Sequence, residues 1–140
     1  MTRISDIPFN NFLGISTAKV EDYILKLDNS SKYLNHLGAV HASAQFALAE
    51  ATSGEFLFSM FKEFIDSVIP VVRRAEVKYS KPANGEIYAR AEVNEEDKER
   101  VRSELNGKGR TIIEVKVNVY DQHGTLSMQS TFQWFIQKNK

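Results

Sequence analysis

Residues 33–50 read YLNHLGAVHASAQFALAE, and the fold turns on how this stretch is read. From His41 onward there is no period of two. Ala42, Ala44, Phe46, Ala47, Leu48, Ala49 and Ala51 are strong or tolerable helix formers and are apolar almost all round a helical wheel. A helix of that kind is buried on most sides. The pattern predicts one helix over residues 41–64, weakened or bent at Gly54. Phe56, Leu57, Met60, Phe61 and Phe64 continue its apolar face, and Pro70 is the expected stop.

On either side the period is two. Tyr23, Leu25 and Leu27 alternate with Asp22 and Lys26, and Asn29-Ser30-Ser31 ends that strand. Residues 1–12 are read as a lead-in. Beyond Pro70, Ala75, Val77 and Tyr79 alternate with Arg74, Glu76 and Lys78. Pro82-Ala83-Asn84-Gly85 marks a turn. Further strands follow over residues 86–93, 113–119 and 126–136, with a turn at Asp121-Gln122-His123-Gly124. Each strand has one apolar and one polar face, as in an antiparallel sheet with one side wet. A single sheet must then cover a helix that is apolar all round. The expected fold is α+β, a long curved antiparallel sheet wrapped around a central buried helix in one domain over 1–140, with an open α+β sandwich as the alternative. Residues 94–110 read as a solvated helical excursion with i,i+4 charge pairs, or as a lid or phosphate-binding arm.

At 140 residues the chain is long enough for one core and needs no staple. Lys plus Arg and Asp plus Glu both number 18, a balance that offers no electrostatic footprint for nucleic acid or an anionic membrane. The absence of cysteine excludes thiol nucleophiles, thiolate metal sites and disulfides. There is no signal-peptide pattern in residues 1–12 and no window near the ~20 apolar residues of a membrane span. The expectation is a cytoplasmic protein without metal or cofactor.

Chemistry gathers at the start of the long helix. A helix N-terminus has backbone N–H groups without intrahelical partners, and the small Ala42 and Ser43 let a ligand carbonyl approach them. That is an oxyanion hole, unless His41 or Ser43 simply caps the helix. Glu50 lies among alanines and leucines. Burial there raises a carboxyl toward the range of a general base, unless it escapes to solvent or pairs with a lysine. His41 and Glu50 are nine residues apart. At about 100° per residue they project to opposite sides of the helix. Two copies with their helices side by side would pool one helix start and one Glu50 in each of two sites, which predicts a homodimer.

Asn35, five intervening residues, His41, and an acid nine residues later resemble the motif of hotdog-fold acyl-CoA thioesterases of the phenylacetate-pathway type. Those carry His-Gly-Gly where this chain has His41-Ala42-Ser43. Pro82, Gly85, Gly109-Arg110 and Asp121-x-x-Gly124 also match, and the likeness spans residues 10–137. The charged insertion at 94–107 and the strand with Thr131-Phe132-Gln133-Trp134 are similar to DUF4442-like hotdog relatives.

The resemblance implies hydrolysis of an acyl or aromatic acyl thioester to a free acid and CoA. The Ala42 N–H would polarise the carbonyl, with Asn35 and His41 holding the carbonyl or the water. Glu50 of the second copy would act as general base or nucleophile. Lys108, Arg110 and Arg102 are the implied contacts to the nucleotide end of CoA. Phe46, Phe56, Leu57, Phe58, Met60 and Phe61 are candidates to line an acyl tunnel. The implied ligand is acyl-CoA or an acyl-carrier thioester, and the assembly a homodimer or a homotetramer built as a dimer of dimers. Two other functions fit the sequence. One is a non-catalytic acyl or fatty-acid binder. The other is a β-hydroxyacyl thioester dehydratase, whose His and Glu stand fourteen apart as His36 and Glu50 do.

Overall fold

The structure is a computed structural model that describes residues 3–139. Its centre is helix α2 (Ala42–Met60), buried along Ala44, Leu48, Ala49, Ala51, Thr52 and Leu57. Around it runs a six-stranded sheet of β1 (Ser16–Thr17), β2 (Leu25–Leu27), β3 (Val68–Tyr79), β4 (Ile87–Glu92), β5 (Arg110–Tyr120) and β6 (Leu126–Lys138). All pairings are antiparallel, in the order β1-β2-β4-β5-β6-β3. Two further helices are α1 (Pro8–Leu13) and α3 (Glu95–Gly107).

The alternation along β5 explains the layering. Thr111, Ile113, Val115, Val117 and Val119 are buried, while Arg110, Ile112, Glu114 and Lys116 are exposed. Leu25, Leu27, Ile87, Ala89, Met128 and Phe132 add to the same inner face, and α2 packs on it. Burying such a side chain contributes about 1.5–3 kcal/mol, which is what closes the sheet over the helix. The expected architecture, a curved antiparallel sheet around a central helix, is what forms.

The helix stops earlier than its apolar pattern suggests. α2 ends at Met60, and Phe61 and Phe64, both buried, lie at a short 3-10 turn (Lys62–Phe64). The core therefore uses these side chains without α-helical backbone beneath them. Pro70 is not the stop. It lies inside β3, paired with Ile136. Among the described residues β3 is an edge strand bonded only to β6, and a proline there can turn its missing donor to the open side. α2 runs through Gly54 without a break. A Cβ there would lie 3.3 Å from Ile4 Cδ1 and 3.4 Å from Trp134 Cζ2, so the glycine permits a close approach.

Three smaller differences concern the ends of the chain and the insertion. Residues 3–17 are not a plain lead-in but form a 3-10 turn, α1 and β1. Tyr23 falls outside β2 and stacks near Tyr88 and Tyr120. The excursion is helical as expected, but α3 is more than a solvated helix. Val101 and Leu105 are fully buried beneath it.

Candidate functional site

The loop before α2 is tied to itself and to the sheet. The Asn35 Oδ1 accepts the N–H groups of Leu37 (2.8 Å) and Ala39 (3.1 Å). Gly38 supplies the left-handed residue this loop needs, at φ 75°. Val40 donates to the Ala83 carbonyl at 2.9 Å, and His41 to the Tyr33 carbonyl at 2.7 Å. The turn carrying Ala83 and Asn84 is held in its turn by buried Asp121, whose carboxylate accepts from the N–H groups of Asn84 (3.0 Å), His123 (2.9 Å) and Thr125 (3.1 Å).

His41 is the N-cap of α2. Its Nδ1 accepts the Ser43 N–H at 2.9 Å, which leaves the proton of the neutral ring on Nε2. The Ala44 and Gln45 N–H groups bond to the His41 carbonyl at 3.0 and 3.1 Å. In this first turn the Ala42 N–H finds no acceptor among the described residues. It lies at an open groove of about 440 Å³ lined by Asn35, Leu37, Ala42, Gln45, Tyr79 and Lys81, among others.

Two of these lining residues hold the helix start. The Tyr79 hydroxyl donates to the Ala42 carbonyl at 3.2 Å. Buried Gln45 donates through Nε2 to the Val40 carbonyl at 3.4 Å and accepts from Ser127 Oγ at 2.7 Å. Sequence reading missed both residues and Lys81. Gln45 was the legible one, as the single amide in the helix's apolar run. Tyr79 read as an ordinary strand residue, because its partner is 37 residues away.

Glu50 is elsewhere. It is eight residues beyond Ala42, about 12 Å along the axis, and does not line the groove. Its side chain reaches solvent, with no hydrogen bond or ion pair to its carboxylate among the described residues. Neighbouring protein atoms nonetheless strip enough water to push the carboxyl above its ordinary value of 4.5. It belongs to the flank of α2 that its own chain leaves uncovered, with exposed Ser43 and half-buried Phe46 and Ala47. One chain therefore brings Asn35, His41 and Ala42 together and leaves Glu50 apart. His36 is exposed on the loop and does not line the groove.

The three cations named for CoA stand toward the other end of α2. Arg102 donates to the Met60 carbonyl (3.0 Å) and Glu63 (3.3 Å), and lies 5.1 Å over the Phe61 ring. Lys108 is 3.5 Å from Glu104. Arg110 opens β5, exposed, opposite Gln137. Of the tunnel candidates, Leu57, Phe58 and Phe61 line a small apolar cavity with Phe64, Leu105 and Ile136. Among the described residues there is no group of three or more His, Cys, Asp or Glu side chains placed to hold a metal ion. No helix there is long and apolar enough to cross a membrane.

Comparison with known proteins adds the family. No curated protein matches the chain. Solved structures do. A Pseudomonas aeruginosa protein of unknown function, described as a probable thioesterase, superposes with a TM-score of 0.81 at 22% identity, over 97% of this chain and 91% of that one. A Bacillus halodurans protein crystallised with CoA gives 0.68 at 19% identity, over 91% and 74%. A Staphylococcus aureus thioesterase enzyme gives 0.68 at 16% identity, over 93% and 98%. That structure replaces a glutamine by alanine, and another of the same protein replaces a glutamate fifteen positions later. At such identities the likeness establishes the fold, which is the hotdog fold of thioesterase-superfamily proteins. The family model for the domain of unknown function DUF4442 matches residues 13–136, nearly the whole chain, and the protein belongs to that family.

Proposed function

We propose that this protein is an acyl-CoA thioesterase acting as a homodimer, each site pairing the Ala42 N–H of one copy with Glu50 of the other. The observation that carries the reading is the unpartnered Ala42 N–H at the start of a buried 19-residue helix, opening on a groove. There the helix dipole and the donor act together on a carbonyl oxygen that gains negative charge.

Two α2 helices packed antiparallel across the uncovered flank bring Glu50 of the second copy to that groove. The outer edge of β3 is open in one chain and offers the second copy a strand to pair with. Glu50 takes a proton from water, and the hydroxide adds to the thioester carbon. The oxyanion rests on the Ala42 N–H. The tetrahedral adduct then expels the thiolate, which recovers the proton from Glu50. The acid and CoA leave. Nucleophilic attack by Glu50 itself is the other route to the same products. Asn35 has its Oδ1 committed to the loop, so its Nδ2 is the atom left for carbonyl or water. His41 has only Nε2–H to offer.

Lys81 of the donor copy and Lys108 and Arg110 of the second copy are the cations available to CoA phosphates. Arg102 is already engaged with α2. The Bacillus protein's complex with CoA supports a CoA thioester as ligand. The two Staphylococcus variants lie fifteen positions apart, the separation of Asn35 and Glu50 here.

The test is thiol release from a panel of short, long and aromatic acyl-CoAs. Turnover is expected, with Glu50→Ala reducing it at least ~100-fold, the scale of losing a general base, at an unchanged melting temperature. The acid limb of the rate profile should lie above pH 4.5, because Glu50 must be deprotonated and burial raises its value. A melting shift with acyl-CoA but no thiol release makes the protein a binder. A monomer in solution removes the shared site.

A further inference from the structure

A donor stabilises developing charge only if it is held in direction before the charge appears. The Ala42 N–H has the first half of that. The His41 carbonyl, in the same peptide unit, is fixed along the helix by Ala44 and Gln45, so the trans peptide turns the Ala42 N–H the opposite way, out of the helix start. That alone leaves the whole first turn free to rock on the sheet.

We propose that Tyr79 and Gln45 are positioning residues that aim the Ala42 N–H into the groove. The inference rests on the thioesterase reading above. Tyr79 reaches from edge strand β3 to the Ala42 carbonyl at 3.2 Å. Gln45 reaches back from α2 to the Val40 carbonyl, two residues before the donor, and joins it to Ser127 on β6. The Val119 carbonyl lies 3.2 Å from the same Ser127 Oγ and competes with Gln45 for its one proton, at the longer distance of the two. The backbone is thus fastened both before and after the donor peptide, from two neighbouring strands, β6 and β3. Neither tie consumes the Ala42 N–H. Gln45 is 4% exposed, so its amide is held in one place, and the tie cannot exchange freely with water. Tyr79 is 47% exposed, but the protein atoms around its hydroxyl still hold it above its ordinary value of 10.0, so it is a donor through the working range. A helix that needed only stability would be served by the His41 cap and the core contacts of Leu48 and Ala49.

The test compares Tyr79→Phe, which removes one hydroxyl, and Ser127→Ala, which releases Gln45 without touching the groove, with Tyr120→Phe as control. Tyr120 takes a hydrogen bond from Arg90 near Tyr23 and plays no part in the groove. The first two are expected to lower kcat about tenfold with KM for benzoyl-CoA within about twofold, the pattern of a misaimed transition-state contact. Tyr120→Phe leaves kcat unchanged.

A second readout does not depend on turnover. Benzoyl-CoA bound to Glu50→Ala should show a thioester carbonyl stretch lowered by the Ala42 N–H. Adding Tyr79→Phe should return it toward the free value. Unchanged kcat and an unchanged carbonyl stretch in both variants overturn the inference while the thioesterase reading stands. A wild type without turnover, whose carbonyl shift still depends on Tyr79, overturns that reading and keeps the inference. No carbonyl shift in Glu50→Ala, with wild-type turnover intact, takes the Ala42 N–H off the carbonyl and overturns the inference, while hydrolysis itself stands.

Discussion

At the C-terminal end of α2 the Met60 carbonyl accepts from Arg102, the guanidinium rests on Phe61, and α3 brings Leu105 against Leu57 and Phe61. At the N-terminal end the His41 ring caps Ser43, Asn35 ties the loop, and the N–H of Ala42, which lines an open groove, finds no acceptor among the described residues. Both ends need partners for backbone groups the helix cannot satisfy itself. The first end recruits an insertion helix from 42 residues away to do so and is closed by apolar side chains. The second is held as firmly, through Asp121, Gln45 and Tyr79, yet leaves one donor unmatched. Rigid support around an unsatisfied group is what a binding or reaction site requires, and a fold kept only for stability gains nothing by it.

The comparison breaks most visibly at Asp121. Its carboxylate is buried and accepts three N–H groups that would otherwise lack partners. Asp121→Ala is expected to cost about 2 kcal/mol, since it removes three hydrogen bonds to a charged acceptor while the abandoned N–H groups, on exposed Asn84 and His123 and half-buried Thr125, recover part of the loss from water. Equilibrium urea unfolding measures it. The pH dependence has a definite sign. Burial alone would raise this carboxyl, but the three donors and His123 outweigh it, and the folded value lies below the ordinary 3.8. Its stabilisation is therefore complete above about 3.8 and fades as pH falls through the lower folded value. The gap between wild type and variant should be flat near neutrality and narrow only in strong acid. A gap that narrows already near pH 6 would mean the loss comes from another group.

Glu50 gives the opposite sign. A folded value raised above 4.5 contributes stability below the unfolded value and loses it as pH rises through the folded one. Glu50→Gln should therefore be at least as stable as wild type at neutral pH, while it no longer supplies a base. A Glu50→Gln protein that melts lower at pH 7 than wild type would show that the carboxylate is paired in solution, against the uncovered flank seen in one chain.

Arg102 tests the closed end. The guanidinium is partly exposed, so losing its bond to Met60, the pair with Glu63 and the contact with Phe61 is expected to cost only about 1 kcal/mol. Arg102→Ala should leave kcat and KM for acyl-CoA unchanged. A rise in KM for CoA thioesters, with none for thioesters of a small thiol lacking the nucleotide, would put Arg102 on the ligand and undo the contrast between the two ends.

What the sequence revealed follows the range of the interactions. Period-two runs identified the four long strands; in β4, β5 and β6 the inner-face residues are set by the strand's own pleat, whereas the side of β3 carrying Ala75, Val77 and Tyr79 is exposed or half-buried in one chain. The helix start was legible from His41 and the alanines, since capping is local. The helix end was not. Phe61 and Phe64 keep the apolar pattern going in 3-10 geometry, and the cation at the end comes from Arg102 in another element. Pro70 was misread because whether a proline is tolerated in a strand depends on lying at the sheet edge, which only the topology decides. At the site, Asn35, His41 and Ala42 came from spacing along one segment. Tyr79 and Gln45 did not, because their partners lie on other strands or loops.

The smallest effect expected is at His41, and it separates a cap from a chemical group. Asparagine is among the best N-caps, so His41→Asn keeps an acceptor for the Ser43 N–H and should change stability by less than about 0.5 kcal/mol. His41→Ala removes the acceptor and should cost about 1 kcal/mol. The cap leaves only Nε2–H of the ring for any other task. If His41 serves the helix start alone, His41→Asn hydrolyses acyl-CoA within about threefold of wild type, a change of less than ~1 kcal/mol in the barrier. A much larger fall at an unchanged melting temperature would assign Nε2–H to the carbonyl or the water. The open end of α2 would then hold two donors aimed at the ligand, with His41 serving the fold through one ring nitrogen and the reaction through the other.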